Sequence, residues 1–360
     1  MACPVRRFPL RKPKNHRLPV PRYTLTLPRD VTHVHTSYIG VQQHDEDAAG
    51  TKLQVCREIE SWLKSDNGLS TFETFSLIDG REAPGTTIWV GYWTDADSHA
   101  RALKRLQLSS EYSQLPHGAR SSIGLWHESF RTAVSRLETN YSGLDYLPGL
   151  GQIPDSRAEE HDLATYWGAA RDRVPDSAHD LFTRPTTSIF RPKAVPRGLG
   201  ERLTGTSHAN LVHIRSGQWW ENCSQIEADA YEHRLEPALH NGLQYLNDNA
   251  EQIGAMGLRY LRNTDVDRPL IDYAKKETCG AGFFANLEDL ENWAKTDSSH
   301  LAIWRGAMAH YKAFPDNRLF RTWHEVSVIR EGDATFEYIN CTPGTGVMGT
   351  TPLEAEDLNI

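Results

Sequence analysis

Two stretches far apart in the chain carry the same local pattern, and this repetition restricts the possible folds more than any other feature. The segments TTIWVGYWTDADSHARAL and GAGFFANLEDLENWA each combine a strand ending in aromatic residues, a short acidic turn and a helix. A β-α-β-β-α-β unit repeated in tandem is typical of duplicated ferredoxin-like halves. The pattern therefore predicts an α+β fold made of tandem ferredoxin-like halves. The alternative is an α+β fold in which two strand–turn–helix units are alike by chance.

Hydrophobic periodicity gives both halves the same order of elements, because alternation indicates strands and spacings of three and four residues indicate helices. In the first half, strands are predicted at 31–41, 71–78, 86–93 and 122–129, and helices at 50–64 and 95–106. In the second half, strands are predicted at 209–218, 257–262, 278–285 and 319–329, and helices at 224–249, 286–293 and 299–314.

Less regular segments flank and join the two halves. The first half is predicted at 31–142 and the second at 209–343. Residues 1–30 are basic and rich in proline, which breaks helices, and they predict an extended arm lying on the fold or on a partner subunit. Residues 143–208 predict a connecting segment, and residues 344–360 a C-terminal tail. A connection of this length is usually a binding segment or a linker.

The composition argues against several classes of function. With 39 Lys and Arg against 47 Asp and Glu, the net charge is −8, which disfavours a nucleic-acid partner. No apolar run approaches the roughly 18 residues of a membrane-spanning helix, so no membrane association is expected. The five cysteines are odd in number and widely spaced. They argue against a disulfide framework and predict reduced thiols in a cytoplasmic protein.

Familiar catalytic motifs are incomplete in this chain. The His-Glu pairs at 127–128 and 324–325 could each begin an HExxH zinc motif, but arginine and valine stand where the second histidine is needed. The GTGVMG segment at 344–349 fits GxGxxG, but TTP follows it instead of a helix start. There is neither a P-loop nor a GxSxG elbow. Hydrolase, kinase and dinucleotide-binding functions are therefore disfavoured.

The remaining candidates are scattered polar residues in aromatic surroundings. Ser216 lies in VHIRSGQWW, Arg171 and Arg173 lie in YWGAARDRVP, His300 opens the helix HLAIWRGAMAHY, and His324 lies in the strand LFRTWHEVSVI. Taken singly, each has an ordinary structural explanation. Ser216 fits a strand-end turn, and the two arginines fit a solvated turn. The helix of His300 fits an apolar face in the core, and His324 fits a hydrogen-bonded interior histidine.

A resemblance to a known family changes this weighing. In chain order, the segments SRLETNY, YWGAARDRVP, HIRSGQWW, SSHLAIW and WHEVSV resemble those of the haem-containing aldoxime dehydratases, which include phenylacetaldoxime and alkylaldoxime dehydratases. The resemblance runs from about Leu18 to Pro343 and includes the arm segment NHRLPVPRY. It implies haem b, ferrous when active, in a ferredoxin-like α+β fold that forms a homodimer of the α/β-barrel type.

The resemblance also implies roles for five residues. His300 would be the proximal ligand of the haem iron. On the distal side, Ser216 would hydrogen-bond the oxime and His324 would be the acid–base. Arg173 would be a cationic donor, in preference to the other arginine of RDRVP, so the connecting segment would contribute to the distal site. Glu138 would be an outer carboxylate that tunes the distal histidine.

The implied reaction converts an aldoxime, R–CH=N–OH, to a nitrile and water, with the oxime nitrogen bound to ferrous haem. Ser216 and Arg173 would polarise the hydroxyl group. His324, at an unperturbed pKa near 6.5, would protonate the departing oxygen and then take the carbon-bound proton. The alternatives are a haem peroxidase of the dye-decolorising or chlorite-dismutase type and a non-catalytic haem-binding protein. The aromatic content suits an arylalkyl or a longer alkyl aldoxime without deciding between them.

Overall fold

The structure is a computed structural model that describes residues 5–163, 165–185, 196–264 and 274–358. The strands in this part of the chain are β1 (Tyr23–Thr26), β2 (His33–Gln43), β3 (Thr71–Asp79), β4 (Thr87–Trp93), β5 (Ile123–Ala133), β6 (Leu137–Tyr141), β7 (Arg157–Glu160), β8 (Glu201–Thr206), β9 (Leu211–Trp219), β10 (Ala255–Thr264), β11 (Ala274–Phe284), β12 (Arg321–Ile329), β13 (Ala334–Ile339) and β14 (Glu354–Asp357). The α-helices are α1 (Ala49–Lys64), α2 (Ala96–Arg105), α3 (Leu108–Gln114), α4 (His117–Arg120), α5 (Gln225–Ala230), α6 (Glu236–Asp248), α7 (Ala250–Ile253), α8 (Leu287–Thr296) and α9 (Ser298–Ala313).

The strands form one open antiparallel sheet in the order β14-β8-β13-β5-β2-β4-β3-β10-β11-β9-β12-β6-β1-β7. The four strands predicted for the first half are neighbours in the order β5-β2-β4-β3, and those of the second half follow the mirror-image order β10-β11-β9-β12. In each half the fourth strand lies beside the first, and the third lies between the first and the second. The halves meet where β3 pairs with β10. The predicted α+β fold is confirmed.

The helix predicted at 224–249 is interrupted rather than continuous. Between α5 and α6 the backbone forms a π-helical turn at Tyr231–Leu235, in which the Glu236 amide donates to the Tyr231 carbonyl. Pro237 follows directly and has no amide hydrogen, so an α-helical bond at that position is impossible. The interruption keeps both helices on the same face of the sheet.

The two faces of the central strands have different coverings. On one face, helices pack on each half; Leu239 of α6, for example, joins the apolar cluster that contains Ile214 of β9. On the other face, the two halves contact each other, and the ring centroids of Phe130 and Phe283 lie 6.1 Å apart. Burial of these apolar side chains is the main source of stability for such layers. No helix in the described residues is long and apolar enough to cross a membrane.

One tight contact occurs in both halves. A Cβ on Gly40 would lie 2.0 Å from the indole of Trp126, and a Cβ on Gly217 would lie 2.1 Å from the indole of Trp323. In each half the glycine is opposite the tryptophan across the first and fourth strands. Only glycine allows these indoles to lie so close to the neighbouring strand. In both halves the tryptophan begins the sequence WHE.

Candidate active site

A cavity of about 370 Å³ lies in the second half, between the sheet and helices α6 and α9. Leucine, isoleucine, tryptophan and phenylalanine side chains form most of its wall, and residues of the N-terminal arm close one end. Within the described part of the chain, no aspartate or glutamate lines it. The cavity therefore suits a large, flat and mainly apolar ligand.

Helix α9 forms one wall because its side chains repeat at helical spacing. The helix begins after Asp297, whose carboxylate accepts a hydrogen bond from the Ser299 amide at 2.8 Å. Residues three or four apart lie on the same side of a helix. The residues that α9 presents to the cavity are His300, Ile303, Trp304, Ala307, Met308 and Tyr311.

His300 is the polar group at the start of this wall. Burial lowers the pKa of His300 to about 4, against smaller opposing effects of the Ala294 backbone and Asp297. Its Nδ1 is buried and lies near the Ala294 carbonyl, so Nε2 is the ring nitrogen left for a ligand in the cavity. The ring packs edge-on against Trp293, with centroids 4.7 Å apart. A neutral imidazole with an available nitrogen is the form that binds a metal ion.

Ser216 and His324 lie together on the sheet wall of the same cavity. They are directly opposite each other in the antiparallel pair β9 and β12, and the Ser216 hydroxyl is 3.3 Å from Nδ1 of His324. Successive side chains of a strand point to opposite faces. The neighbouring Gly217–Trp323 pair consequently belongs to the interior face, while Ser216 and His324 line the cavity.

His324 is neutral at pH 7 in this environment. Burial, followed by the nearby charges of Arg22 and Arg173, lowers its pKa well below the usual 6.5. Its ring meets Trp167 edge-on at 4.6 Å. This Trp opens the 3₁₀-helical segment Trp167–Arg173.

Arg173 and Glu138 form a buried ion pair close to Trp167 and His324, which with Ser216 make up the distal wall of the cavity. Nε of Arg173 donates to Oε1 of Glu138 at 2.6 Å, and their side chains are 3% and 1% exposed. The Arg173 guanidinium also lies over the Trp167 ring at 5.1 Å. Neither member of the pair lines the cavity. In the described structure, Arg173 influences the site through its contact with the Trp167 ring and through its charge near His324, and Glu138 acts by holding Arg173.

The second arginine of this segment has a different environment. Arg171 forms a buried ion pair with Glu291 of α8, at 2.6 Å between Nη2 and Oε2. Its backbone amide donates to the same carboxylate at 2.9 Å. Arg171 therefore holds the 3₁₀-helical segment on α8, whereas Arg173 is the arginine whose charge acts on His324.

Replacing Glu138 by alanine is expected to destabilise the fold by about 3–5 kcal/mol, because it leaves the buried Arg173 guanidinium without its carboxylate partner. Urea unfolding followed by circular dichroism measures the change. The matched control is Asp357→Asn, which removes an exposed partner of Arg197 and should leave the unfolding midpoint almost unchanged. Equal midpoints for Glu138→Ala and the wild type would contradict the prediction.

The sequence patterns missed one polar cluster at the arm end of the cavity. Arg22 donates to Oγ1 of Thr322 at 3.0 Å and to the hydroxyl of Tyr311 at 3.2 Å. All three residues line the cavity. The segment NHRLPVPRY, which contains Arg22, resembles the family's N-terminus, but that resemblance assigned no role to this arginine.

The cavity residues fit the haem that the resemblance implies. A neutral histidine with an available nitrogen occupies one wall, a hydroxyl–imidazole pair occupies another, and the remaining surface is largely apolar. Histidine is a common axial ligand of haem iron. His300 would hold the iron, and the leucines of α6 with the apolar face of α9 would hold the ring.

Comparison with known proteins supports a haem cofactor. The family model described as haem-containing dehydratase matches residues 37–347. The aliphatic aldoxime dehydratase of Pseudomonas chlororaphis is 30% identical over 348 residues, covering 97% of this chain and 96% of the relative. The phenylacetaldoxime dehydratase of Bacillus sp. (strain OxB-1) is 26% identical over 337 residues, covering 93% of each chain.

A solved structure gives the same result for the fold. The crystal structure of an aldoxime dehydratase in complex with butyraldoxime superposes with a TM-score of 0.84 at 28% identity. The match covers 97% of this chain and 94% of that one. The shared architecture thus extends over nearly the whole chain.

Proposed function

The chain belongs to the family of haem-containing dehydratases and catalyses the haem-dependent dehydration of aldoximes to nitriles, and we propose that His300, Ser216 and His324 form its active site. One observation carries the proposal. A single apolar cavity has a neutral histidine with an available nitrogen on its helix wall and a serine–histidine pair on its sheet wall. The reacting oxime would lie between these two walls.

The proposed cofactor is haem b, which His300 would hold through its imidazole, with ferrous iron in the active state. When bound, haem supplies an iron with an open coordination position that can take the oxime nitrogen and donate electron density towards the N–O bond. The apolar wall excludes water, which strengthens every polar interaction with the substrate.

Ser216 is the proposed donor to the oxime hydroxyl. Its own hydroxyl is fixed by strand pairing and by Nδ1 of His324, so little reorganisation accompanies substrate binding. A donor fixed in advance in a dry site stabilises charge as it develops on the departing oxygen. Ser216 thereby orients the hydroxyl group that is lost.

His324 is the proposed proton carrier, and its depressed pKa sets the order of events. A neutral imidazole can accept the proton that leaves carbon and deliver it to the departing oxygen, so that this proton leaves in the water molecule. The order expected from the sequence, in which oxygen is protonated first, would instead require the imidazolium form of His324. The difference arises because burial, which has the largest effect, and the charge of Arg173 disfavour the imidazolium before substrate binds.

Arg173 and Glu138 are proposed to act through their neighbours. The Arg173 charge lowers the pKa of His324, and its guanidinium stacks on the Trp167 ring that touches the histidine. Glu138 fixes the guanidinium in that position. The pair thus positions Trp167 and His324, and Arg173 itself does not line the described cavity.

We expect nitrile formation by the purified protein to depend on reduction of the iron. The test is an absorption spectrum before and after dithionite, followed by anaerobic addition of phenylacetaldoxime or butyraldoxime. The Soret band should shift on reduction and again with oxime, and the nitrile should accumulate in the reduced sample. The ratio of the two rates gives the preference between arylalkyl and alkyl substrates.

Two other outcomes of this experiment would overturn the proposal. A haem band with peroxide turnover and no nitrile would indicate a peroxidase. A haem band without either reaction would indicate a non-catalytic haem protein. An oxidised sample as active as the reduced one would contradict the ferrous requirement alone.

The proposed assembly is a cytoplasmic homodimer of the α/β-barrel type. Each chain would contain two tandem ferredoxin-like halves, at 31–142 and 209–343, together with an arm, a connecting segment and a tail. The strand order of each half supports the duplication, as does the repeated glycine–tryptophan contact. Four cysteines in the described residues are free thiols, consistent with a reducing compartment. Sedimentation equilibrium of the haem-loaded protein tests the dimer.

A further inference from the structure

Arg22 places a positive charge in the wall of the apolar cavity. The residue lies at the end of the arm, just before β1, and is only 5% exposed. It lines the cavity together with the residues of the proposed active site. A buried guanidinium is costly unless a negative group compensates it.

No described residue supplies that compensation through an ion pair. Two guanidinium nitrogens donate to the hydroxyls of Tyr311 and Thr322, neither of which is a carboxylate. Burial acts to raise the pKa of Tyr311, but the charges of Arg22 and Arg318 and a hydrogen bond with Thr322 together lower it. Nε of Arg22 is buried and has no hydrogen-bond partner among the described residues. The cavity lining contains no acidic side chain within the same part of the chain. On its other side, the Tyr311 ring contacts the Arg318 guanidinium at 4.8 Å, which adds positive charge at this end.

Arg22 lies at one edge of the cavity, away from His300. Tyr311 follows His300 by three turns of α9, about 16 Å along the helix axis. Thr322 precedes His324 by two residues on the same face of β12. Arg22 thus lies beside the far end of the helix wall, away from the residue that would hold the iron.

We propose that Arg22 is the binding residue for a propionate carboxylate of the haem. This inference rests on the haem site of the proposed function and assigns the orientation of the cofactor within it. Haem carries its two carboxylates on one edge of the ring, so the charged edge would face the arm. The apolar edge would then face the interior wall formed by the leucines of α6.

The arm is held well enough to present Arg22 in a fixed position. The backbone amides of Arg11 and Lys12 donate to the Asp172 carboxylate at 2.8–3.0 Å. Residues after Arg22 join the sheet, where β1 pairs with β6 and β7. The Arg22 carbonyl accepts from the His161 amide at 3.0 Å. A cation positioned in advance binds a carboxylate with less loss of conformational entropy.

The test compares haem with haem dimethyl ester, which lacks the carboxylate charges. Each cofactor is loaded into the full-length protein, and its transfer to excess apomyoglobin is followed by absorbance. Arg22→Met is expected to speed the loss of haem about 10- to 100-fold, as for removal of a charge-assisted hydrogen bond. Loss of the dimethyl ester should be unchanged by the substitution, and Arg22→Lys should lie between Arg22→Met and the wild type.

Arg29→Met is the matched control, because Arg29 also belongs to the arm but is exposed and does not line the cavity. It should change haem loss far less than Arg22→Met does. Equal acceleration for haem and its ester in Arg22→Met, or none for haem, would overturn the inference. Nitrile formation by the wild type is measured separately, so that a failure of the proposed function is distinguishable from a failure of the Arg22 assignment.

Discussion

Replacing His300 by alanine is expected to abolish haem retention and nitrile formation together. His300 is the histidine that α9 presents to the cavity, and its low pKa keeps the imidazole neutral, which is the metal-binding form. Without an axial ligand, the apolar wall alone would have to hold the cofactor. The measurement is the Soret absorbance per protein after purification, alongside nitrile formation from an aldoxime.

Added imidazole gives a sharper version of the same experiment. The alanine variant leaves room for a free imidazole beside the iron, so millimolar imidazole should restore part of the haem absorbance. His117→Ala, at an exposed histidine of α4, is the control and should behave as the wild type with and without imidazole. Full haem content in His300→Ala would remove this residue from the site.

The strands and helices of the two halves could be predicted because their apolar residues recur at strand or helix spacing in the sequence. β9 and β12 alternate between the cavity face and the interior face, and α9 repeats its apolar residues at helical spacing. β6 escaped prediction because Glu138, Thr139 and Asn140 are polar yet buried, so its sequence has the composition of an exposed loop. β8 and β13 were missed because they are short, and their pairing with β5 and β14 depends on contacts distant in sequence.

The site residues were predictable only through the resemblance, because the interactions that define the site are not local. Ser216 and His324 are 108 residues apart and meet through strand pairing. Nothing in either segment specifies that partner. Arg22 lies in an irregular proline-rich arm, where no periodicity assigns a side chain to a face. Its importance follows from burial and missing counter-charge, which exist only in the folded chain.

Replacing Ser216 or His324 by alanine is expected to preserve the haem and abolish most of the turnover. Neither side chain is on the wall that would hold the iron, so the Soret absorbance should remain at the wild-type level. Loss of a single preorganised donor costs about 10²–10³-fold in rate, and loss of a general acid–base costs about 10²–10⁴-fold. The measurement is kcat for nitrile formation at matched haem content.

The duplicated half provides an internal control for this last prediction. His127 stands in the other WHE sequence and faces Ile39 across β2 and β5, as His324 faces Ser216. Burial lowers the pKa of His127 to about 4, and its Nε2 has no hydrogen-bond partner among the described residues. Unlike His324, His127 does not line the haem cavity. His127→Ala should therefore retain nearly full turnover. Equal losses in His127→Ala and His324→Ala would show that removal of a buried histidine, rather than loss of the proton carrier, causes the defect.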